Sequence, residues 1–430
     1  MTSRLGIRRE DKNKWERRVP LIPDDVKILK EKYGIETVIQ PSPIRVFSDE
    51  EYNNIGAIVQ EDLSSCPVVF AVKEIPKTFF EPNKVYVFFS HTIKGQSYNM
   101  PMLKQMIDLE CTLIDYERIV DENNRRLIFF GRFAGIAGII DTLWVFGKRL
   151  KEYHGVDSPF SLIKQAYQYG TISEVKKHFE IISEEIRKQS LPAIITPMVI
   201  GIAGYGNVSR GVQEILDILP VVEIQPEELS SIYEKPSNDR IYKVVFKEEH
   251  MVEPISKDRK FDLNDYYTNP EEYQSSFNRY LPYLDILMNC IYWDPRYPRL
   301  VTKKDLKELD HHLHIIGDIS VDIEGAIEAT AKVTTPDDPV FTYNPKEDKI
   351  VDGYMNEGVV IMAIDNLPCE LPEDSSREFS KALLPFVSSI VNADYTVPFD
   401  KLDLPSEIKK AVVLYQGKLT PSYEYIHKFL

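Results

Sequence analysis

One short segment, Met198-Val-Ile-Gly-Ile-Ala-Gly204-Tyr-Gly206, restricts the fold of this chain more than any other. It predicts an apolar strand, a tight Gly-x-Gly turn and then a helix whose apolar side carries Val212, Ile215 and Leu216. In such a turn the first glycine permits the bend, and the second lets the backbone approach a pyrophosphate. The helix N-terminus adds unpaired N–H groups and the positive end of its dipole. The segment therefore predicts a dinucleotide-binding turn within an α/β fold.

The residues around this turn are the candidate contacts to the dinucleotide. They are Gly204, Gly206, Asn207, Val208 and Ser209, with Ser209 standing where the fingerprint has its third glycine. An acidic residue about 20 positions further on would accept a hydrogen bond from the free ribose 2′-hydroxyl of NAD, and Glu223 lies at that distance. However, Gln225 is an alternative end of the same strand, and Arg210 would instead meet the 2′-phosphate of NADP. Spacing alone leaves the choice of cofactor open.

The rest of the chain alternates apolar runs with amphipathic ones, which is typical of α/β proteins. Its 430 residues favour two domains. A long apolar helix is predicted from Phe133 to Tyr153, with short connections on both sides, and it is a candidate hinge. The polar segment Glu248–Gln274 has the composition of an insertion in the second half.

The charge of the chain limits its partners. It has 52 basic and 67 acidic residues, and the net charge of −15 disfavours nucleic acid and anionic membranes because both need clustered Lys and Arg. The N-terminus is charged where a signal peptide needs an apolar stretch, and no apolar run approaches the roughly 20 residues of a membrane span. Four scattered cysteines, without His or Cys at ligand spacing, predict a cytoplasmic location and no metal site.

Three side chains in the first hundred residues are candidates for substrate chemistry. Lys73 and His91 each follow an apolar strand, and the ends of two neighbouring strands converge on the crevice where open α/β sheets bind ligands. Burial there lowers the pKa of a lysine towards values useful in acid–base catalysis. Arg18 precedes an apolar turn and would bind a substrate carboxylate through two parallel hydrogen bonds. Each of these side chains, taken alone, would more often have a structural role. Their occurrence together with a dinucleotide turn favours a catalytic role.

Short segments spread along the chain carry a family resemblance. They are Arg8–Leu21, Phe88–Lys94, Leu113–Glu117, Phe130–Gly138, Gly204–Gly211, Asn289–Trp293, Pro298–Leu300, Asp318–Asp322 and Asp365–Pro368. These segments resemble the lysine–ketoglutarate reductase family, which forms the N-terminal half of bifunctional alpha-aminoadipic semialdehyde synthases. More distantly the chain is similar to alanine dehydrogenase and to the fungal lysine-forming saccharopine dehydrogenases. We expect the saccharopine-oxidising half to be absent, since the chain ends at Leu430.

This resemblance implies an α/β chain of two Rossmann-like domains, in which a discontinuous substrate domain surrounds a central dinucleotide-binding domain. The first part of the substrate domain is expected at residues 1–132. The NAD(P)-binding Rossmann domain, with its preceding helical linker, is expected at 133–358. The returning part of the substrate domain is expected at 359–430.

The same resemblance implies a reaction in lysine metabolism. The ε-amine of lysine condenses with the ketone of 2-oxoglutarate, and NADP(H), with NAD(H) as the alternative, supplies the hydride that reduces the imine to saccharopine. A separate saccharopine dehydrogenase is then a candidate partner. The small-molecule substrates are lysine, 2-oxoglutarate and saccharopine.

The resemblance also implies roles for individual residues. Lys73 and His91 match the acid–base pair of the family, and Arg18 matches its carboxylate-binding arginine. Glu117 and Arg126 are implied to line the substrate cleft. Further cofactor contacts are implied for Ile291, Asp318, Asp322 and Asn366. A local basic pocket around Arg18, Lys73 and Arg126 is therefore expected in an otherwise acidic protein.

Two alternatives to the saccharopine-forming reductase remain open. One is a lysine-forming, NAD-dependent saccharopine dehydrogenase, or another amino-acid dehydrogenase of the alanine dehydrogenase type. The other is a catalytically inactive nucleotide-binding regulatory protein. The presence of Arg18, Lys73, His91 and the glycine turn argues against the inactive alternative.

Overall fold

Two compact units make up the computed structural model, which describes residues 3–430. Unit 1 contains the residues up to Phe130 together with Pro372–Leu430, and unit 2 contains Gly131–Leu371. Each unit is built on one large sheet in which parallel pairs dominate, with helices between the strands. This confirms the predicted α/β class.

The first segment of unit 1 alternates strands with helices. Its elements are β1 (Arg4–Ile7), α1 (Pro23–Tyr33), β2 (Glu36–Ile39), α2 (Asp49–Asn54), β3 (Ile58–Val59), β4 (Val68–Phe70), β5 (Val85–Phe88), α3 (Met100–Asp108) and β6 (Thr112–Asp115). The strands are rich in Val, Ile and Phe and are buried on both faces, as parallel strands covered by helices require. Helix α1 begins at Pro23, whose fixed φ suits the first helical position.

Unit 2 begins with a long helix and contains the predicted strand–turn–helix. Its elements are α4 (Gly131–Glu152), α5 (Ile172–Gln189), β7 (Met198–Ala203), α6 (Asn207–Leu216), β8 (Val221–Glu223), α7 (Leu229–Ile232), β9 (Ile241–Phe246), α8 (Glu248–Met251), β10 (Val252–Pro254), α9 (Leu263–Thr268), β11 (Tyr273–Ser275), β12 (Ile286–Asn289), α10 (Lys303–Glu308), β13 (Ile315–Asp318), β14 (Val340–Asn344), β15 (Lys349–Asp352) and β16 (Val359–Met362). The polar segment Glu248–Gln274 is ordered into α8, β10, α9 and most of β11, and β10 pairs with β11 as a separate antiparallel ribbon.

The chain returns to unit 1 later than the sequence predicted. The returning elements are α11 (Pro372–Asn392), α12 (Ser406–Ala411), β17 (Val412–Tyr415) and β18 (Lys418–Leu419). The expected boundary at residue 359 is wrong because Val359–Met362 forms β16, which pairs with β13 and β14 in the sheet of unit 2. An apolar strand gives no sign in its own sequence of which sheet it joins, and here the pairing assigns it to unit 2.

The sheet of unit 1 has eight strands in the order β18-β17-β6-β5-β4-β1-β2-β3. The strands from β6 to β3 are parallel, and β17 adds to β6 in the antiparallel direction. One apolar core joins residues far apart in the chain, including Leu5, Phe88, Phe379 and Val413. The returning segment therefore completes both the sheet and the core of this unit.

The sheet of unit 2 also has eight strands, in the order β15-β14-β16-β13-β12-β7-β9-β8. Separate apolar cores cover its two faces, and α4 and α6 pack on one of them. The two helices approach very closely, since a Cβ placed on Gly135 would lie 1.9 Å from the Val208 carbonyl oxygen and one on Gly211 would lie 2.0 Å from that of Arg132. Glycine at both positions therefore lets the backbones of α4 and α6 pack in direct contact.

Within residues 3–430, no helix combines the length and the apolar character needed to cross a bilayer.

Candidate active site

The carboxyl ends of three neighbouring parallel strands in unit 1 carry ionisable side chains. β4, β5 and β6 lie side by side. Lys73 and His91 each follow their strand by three residues, and Asp115 is the last residue of β6. The charges of Arg18 and Glu74 are close enough to shift the pKa of Lys73, and the charge of His91 is close enough to shift the pKa of Asp115. The predicted acid–base residues and Arg18 therefore share one edge of this sheet.

Glu10 holds the backbone that carries Lys73. Its carboxylate accepts hydrogen bonds from the N–H groups of Val72 (2.7 Å) and Lys73 (3.0 Å). Burial, with the charge of Glu16, raises the pKa of Glu10 to about 7. Because a buried carboxyl group without partners is costly, these two hydrogen bonds fix the strand end in place.

Lys73 is half-buried, and its surroundings change its acidity. Burial lowers the pKa of its ammonium group, and the positive charge of Arg18 lowers it further. The carboxylates of Glu16 and Glu74 oppose this effect without cancelling it. Lys73 therefore exchanges a proton closer to neutral pH than a surface lysine does.

Arg18 is half of a buried ion pair. Its relative exposure is 2%, and that of Glu16 is 0%. Nε and Nη2 of Arg18 donate to the two carboxylate oxygens of Glu16 at 2.8 and 2.6 Å. The guanidinium carbon also lies 4.1 Å from the centre of the Phe130 ring. Glu16 therefore engages Nε and Nη2 of Arg18, because a buried guanidinium needs a partner. That Arg18 also binds a substrate carboxylate stays a prediction.

His91 is paired with Glu74. Its Nδ1 lies 2.6 Å from Oε1 of Glu74, and Nζ of Lys12 lies 3.1 Å from Oε2. Burial works against the charge on Glu74, but the hydrogen bond with His91 and the charges of His91 and Lys12 outweigh it and hold the pKa of Glu74 well below its usual range. With Nδ1 donating to an ionised Glu74, Nε2 of His91 is the nitrogen that can exchange a proton with a ligand.

A pocket of about 460 Å³ opens beside Glu74 in unit 1. Its lining includes Lys12, Lys77, Tyr98 and Asn99. Lys77 and Tyr98 are exposed, so the pocket is open to solvent. A small polar molecule bound there would lie next to the Glu74–His91 pair.

Glu117 and Arg126, the two residues implied to line the substrate cleft, contact each other. Nη2 of Arg126 donates to Oε1 of Glu117, and the Glu117 backbone N–H donates to Asp115 at 2.8 Å. Asp115 is fully buried, and burial raises its pKa to about 6. The Arg126 side chain is 51% exposed. Arg126, unlike Arg18, therefore presents its charge at the surface of unit 1.

The glycine turn of unit 2 has the form that a pyrophosphate needs. Gly204 has φ +95°, which only glycine adopts without strain, and its N–H donates to the Phe246 carbonyl at 2.9 Å. A Cβ on Gly206 would meet nothing within 4 Å, so the backbone before α6 faces open space. Ile291 lies across the turn, with Cγ2 3.2 Å from where a Gly204 Cβ would be. These residues fit a dinucleotide, whose phosphates would meet the N–H groups at the start of α6.

The residues that follow the turn have different roles. Asn207 and Arg210 are exposed at the first turn of α6. Val208 packs against Gly135 of α4. Ser209 is fully buried, and its hydroxyl accepts a hydrogen bond from Gln213 at 3.0 Å. The Ser209 side chain thus fills the place where the fingerprint uses glycine for close packing, and its expected contact with the dinucleotide stays a prediction.

Asp318 lies at the end of β13 and is 1% exposed. It accepts hydrogen bonds from Asn289 Nδ2 (2.8 Å) and from the Thr330 hydroxyl (2.6 Å). Burial raises the pKa of Asp318. Asp318 therefore shapes the loop after β13, and the exposed Asp322 on that loop is the better candidate for contact with a cofactor. Asn366 is partly exposed and has φ +70° at the loop after β16.

Glu223 does not lie beside the glycine turn. It is the last residue of β8, which is the outermost strand, and β9 separates β8 from β7. Its carboxylate lies 3.0 Å from Nζ of Lys243 on β9. The prediction that Glu223 reads the ribose is therefore wrong, because it assumed that the strand following α6 pairs directly with β7.

Sequence reasoning did not find the carboxylates that organise the site in unit 1, namely Glu10, Glu16 and Glu74. Glu10 and Glu16 belong to a charged N-terminal stretch that resembles a solvated surface. The sequence did contain one hint, because Arg18 directly precedes an apolar turn. A guanidinium that is buried with such a turn needs a carboxylate near it. Glu74 directly follows Lys73 and offered a similar hint.

Comparison with known proteins places the chain among oxidoreductase relatives. The family models for the alanine dehydrogenase/PNT N-terminal domain and C-terminal domain match residues 6–137 and 268–422. L-alanine dehydrogenase has a similar fold, with a TM-score of 0.62 at 18% identity over 99% of both chains.

Two curated relatives extend the similarity over most of the chain. Alpha-aminoadipic semialdehyde synthase of Arabidopsis thaliana is 37% identical over 98% of this chain, which spans only 41% of that relative. A saccharopine dehydrogenase [NAD(+), L-lysine-forming] of Yarrowia lipolytica is 25% identical over 91% of this chain and 93% of its own length. With both domain models matched in order, the chain belongs to the alanine dehydrogenase/PNT family.

Proposed function

We propose that this chain joins lysine and 2-oxoglutarate reductively to form saccharopine, with a reduced nicotinamide dinucleotide as the hydride donor. The observation that carries the proposal is the pairing of Lys73, whose pKa is lowered, with the Glu74-bound His91 at neighbouring strand ends. The similarity to a plant alpha-aminoadipic semialdehyde synthase supports this choice of substrates.

Imine formation moves protons off the lysine nitrogen and onto the ketone oxygen, including a transfer from nitrogen to oxygen as the carbinolamine forms. Two different groups are available for the first and last of these transfers. The lysine ε-ammonium must lose a proton before its nitrogen attacks the ketone carbon, and Lys73 in its neutral form accepts that proton. The hydroxyl group of the resulting carbinolamine must gain a proton to leave as water, and Nε2 of a protonated His91 donates it. Glu74 keeps the His91 ring oriented through Nδ1.

The substrates carry three carboxylates, which need cationic partners. Arg126 is half-exposed, and Lys12 and Lys77 line the pocket beside Glu74. Arg18 contributes its charge to the same edge while remaining bound to Glu16. We infer that the exposed cations hold the substrate carboxylates, and that Arg18 keeps the Lys73 ammonium acidic.

In unit 2 the open backbone before α6 would hold the pyrophosphate, and Ile291, Asp322 and Asn366 remain candidates for the nicotinamide half. When bound, the dinucleotide supplies the hydride that reduces the imine carbon. The resemblance implies NADPH. Whether a 2′-phosphate is accepted depends on the residues at the ribose end of the turn.

The test is a turnover assay with lysine plus 2-oxoglutarate, run separately with NADPH and NADH. Pyruvate plus ammonia serves as the competing substrate pair. We expect oxidation of the dinucleotide only with lysine plus 2-oxoglutarate, and saccharopine as the product by mass spectrometry. Turnover only with pyruvate plus ammonia would replace this proposal by an alanine dehydrogenase. Dinucleotide binding without turnover of any pair would favour a catalytically inactive relative.

The reverse reaction, release of lysine from saccharopine, is the second candidate. It is favoured by the similarity to the lysine-forming enzyme of Yarrowia lipolytica along almost the whole length of both chains. The same groups serve both directions: in the reverse reaction His91 takes a proton from the attacking water, and protonated Lys73 gives one to the departing lysine amine. Measuring the rates with saccharopine plus NAD⁺ or NADP⁺ compares the two directions.

A further inference from the structure

The order of strands beside the glycine turn is unusual for a dinucleotide fold. β9 pairs with β7 along its whole length, with Phe246 opposite Ala203, and β8 pairs only with β9. In such folds the adenosine ribose lies at the carboxyl end of the strand next to the one that precedes the turn. In this chain that strand is β9, so the residues after Phe246 occupy the ribose end of the site.

The position of Glu223 excludes it from this role. Neighbouring strands are separated by about 4.8 Å, so β8 is displaced by about 10 Å from β7. The Glu223 carboxylate instead pairs with Lys243, which is 4% exposed and also lies 2.7 Å from Asp217 of unit 2. The Glu223 carboxylate thus offsets the positive charge of the buried Lys243.

Glu248 is the carboxylate that faces the turn. Its Oε1 accepts a hydrogen bond from the Tyr267 hydroxyl at 2.6 Å. The Tyr205 hydroxyl lies beside the same carboxylate, and burial together with Glu248 raises the pKa of Tyr205. Tyr205 is the middle residue of the Gly204–Gly206 turn, and the two phenols are 46% and 48% exposed. Two tyrosines from separate segments therefore hold Glu248 next to the dinucleotide turn.

We propose that Glu248 binds the adenosine ribose hydroxyl groups and makes this chain select NAD(H) over NADP(H). An ionised carboxylate accepts hydrogen bonds from a free 2′-hydroxyl, whereas it repels a 2′-phosphate. Tyr205 and Tyr267 keep the carboxylate in place and add apolar surface for the ribose and adenine. The proposal rests on the dinucleotide-binding part of the proposed function and is independent of the amino-acid substrate.

Two exposed cations near the turn, Lys247 and Arg210, are the competing ligands for a 2′-phosphate. Lys247 directly precedes Glu248, and Arg210 lies on the first turn of α6. Because both are exposed, solvent and salt screen their attraction for phosphate. We therefore expect the partly buried Glu248 to dominate the choice of cofactor.

Calorimetric binding to the full chain tests the proposal without requiring turnover. The probes are NADH against NADPH, and 5′-AMP against adenosine 2′,5′-bisphosphate, which report on the ribose end alone. We expect the ligands without the 2′-phosphate to bind about tenfold or more tightly. Glu248→Gln should remove most of this preference. Glu223→Gln, the matched control, should leave the ratio within about twofold of wild type.

Several outcomes separate this proposal from the proposed function. The role of Glu248 would be overturned if the wild-type chain bound NADPH more tightly than NADH. It would also be overturned if Glu223→Gln lost the preference for NADH while Glu248→Gln kept it. If neither dinucleotide binds, the proposed function fails with it. If NADH binds tightly but lysine and 2-oxoglutarate are not turned over, only the substrate assignment is wrong. The wild-type comparison remains decisive even if a variant does not fold.

Discussion

At the scale of single residues, Lys73 can be tested without disturbing the sheet that carries it. Lys73→Met keeps the length of the side chain but removes the exchangeable proton. We expect kcat to fall about 100-fold or more, because general acid–base groups contribute at least that much. Dinucleotide affinity, measured by calorimetry, should change less than about threefold, since the glycine turn belongs to unit 2.

Lys104→Met is the control, because Lys104 is an exposed lysine on α3 of the same unit. It should leave both kcat and dinucleotide affinity unchanged. Equal losses of rate and affinity in Lys73→Met would remove Lys73 from the proton-transfer role.

The Glu16–Arg18 pair gives a second prediction at this scale. Glu16→Gln leaves a guanidinium that is 2% exposed without its carboxylate. We expect the free energy of unfolding to drop by about 3–5 kcal/mol, the range found when one partner of a buried ion pair is removed. Urea denaturation followed by circular dichroism measures this loss.

The exposed pair of Lys27 and Glu31 provides the comparison. Its charged groups are 3.9 Å apart and more than half exposed, so Glu31→Gln should cost no more than about 1 kcal/mol. If the two variants lost similar amounts of unfolding free energy, the burial of Arg18 would not increase the contribution of Glu16 to stability.

At the scale of elements, the close contact between α4 and α6 positions the helix that follows the dinucleotide turn. Gly211→Ala would place a Cβ 2.0 Å from the Arg132 carbonyl oxygen, so the two helices must move apart. Overpacking of this kind costs about 1–3 kcal/mol. We expect a lower melting temperature together with weaker NADH binding, since α6 carries the N–H groups that face the pyrophosphate.

Gly170→Ala is the matched control. Its Cβ would meet only the flexible end of Glu174, at 3.2 Å. It should change neither the melting temperature nor NADH affinity by a measurable amount. Normal NADH affinity in a destabilised Gly211→Ala would show that the start of α6 tolerates displacement.

Local elements were predictable because their causes are local. The Met198–Ala203 strand, the glycine turn and α6 follow from apolar periodicity and glycine spacing within twenty residues. The order of β8 and β9 did not follow, because pairing with β7 depends on contacts between residues about forty positions apart. The same limit applies to Val359–Met362, whose sheet is decided by β13 and β14.

The site shows the same division between local and distant causes. The placement of Lys73 and His91 at neighbouring strand ends could be predicted, because each follows an apolar strand and ligands bind at such ends in parallel sheets. The pairing of Arg18 with Glu16, and of Glu74 with His91, could not be found in this way because burial decides which ionisable groups need a partner. Glu223 was chosen by spacing alone, which fails when a strand is displaced.

At the scale of the whole molecule, buried carboxyl groups set the pH dependence of stability. Asp141 and Glu370 are both fully buried in unit 2. Burial raises the pKa of Asp141 to about 6, and burial together with the charge of Asp141 raises that of Glu370 well above its usual value. Raised pKa values mean that folding favours the protonated groups. Their contribution to stability is therefore complete below the unfolded-state pKa values, and it is lost as the pH rises from there through the folded-state values.

The prediction is a melting temperature that falls from about pH 4, where the carboxyl groups of the unfolded chain ionise, to about pH 8, the folded-state pKa of Asp285. Glu370→Gln, which replaces the protonated acid by an amide, should show a shallower fall. Burial also raises the pKa of Asp285, to about 8, so the melting temperature of the variant should still fall with pH, but less steeply than that of the wild type. Glu184→Gln on the exposed side of α5 is the control and should retain the wild-type slope. If the melting temperature of Glu370→Gln fell with pH as steeply as that of the wild type, Asp141 and Glu370 would not contribute to the pH dependence of stability.

The interrupted path of the chain through unit 1 has a consequence for its synthesis. β6 is made early, but its neighbour β17 and the core residues Phe379 and Leu383 come from the far end of the chain. At about 5–20 residues per second, the roughly 300 residues after Phe130 need about 15–60 s to leave the ribosome. Unit 2, being continuous, is complete first. During that interval the nascent sheet of unit 1 has an open edge at β6, and this edge is where the emerging chain is most exposed to strand pairing with other chains.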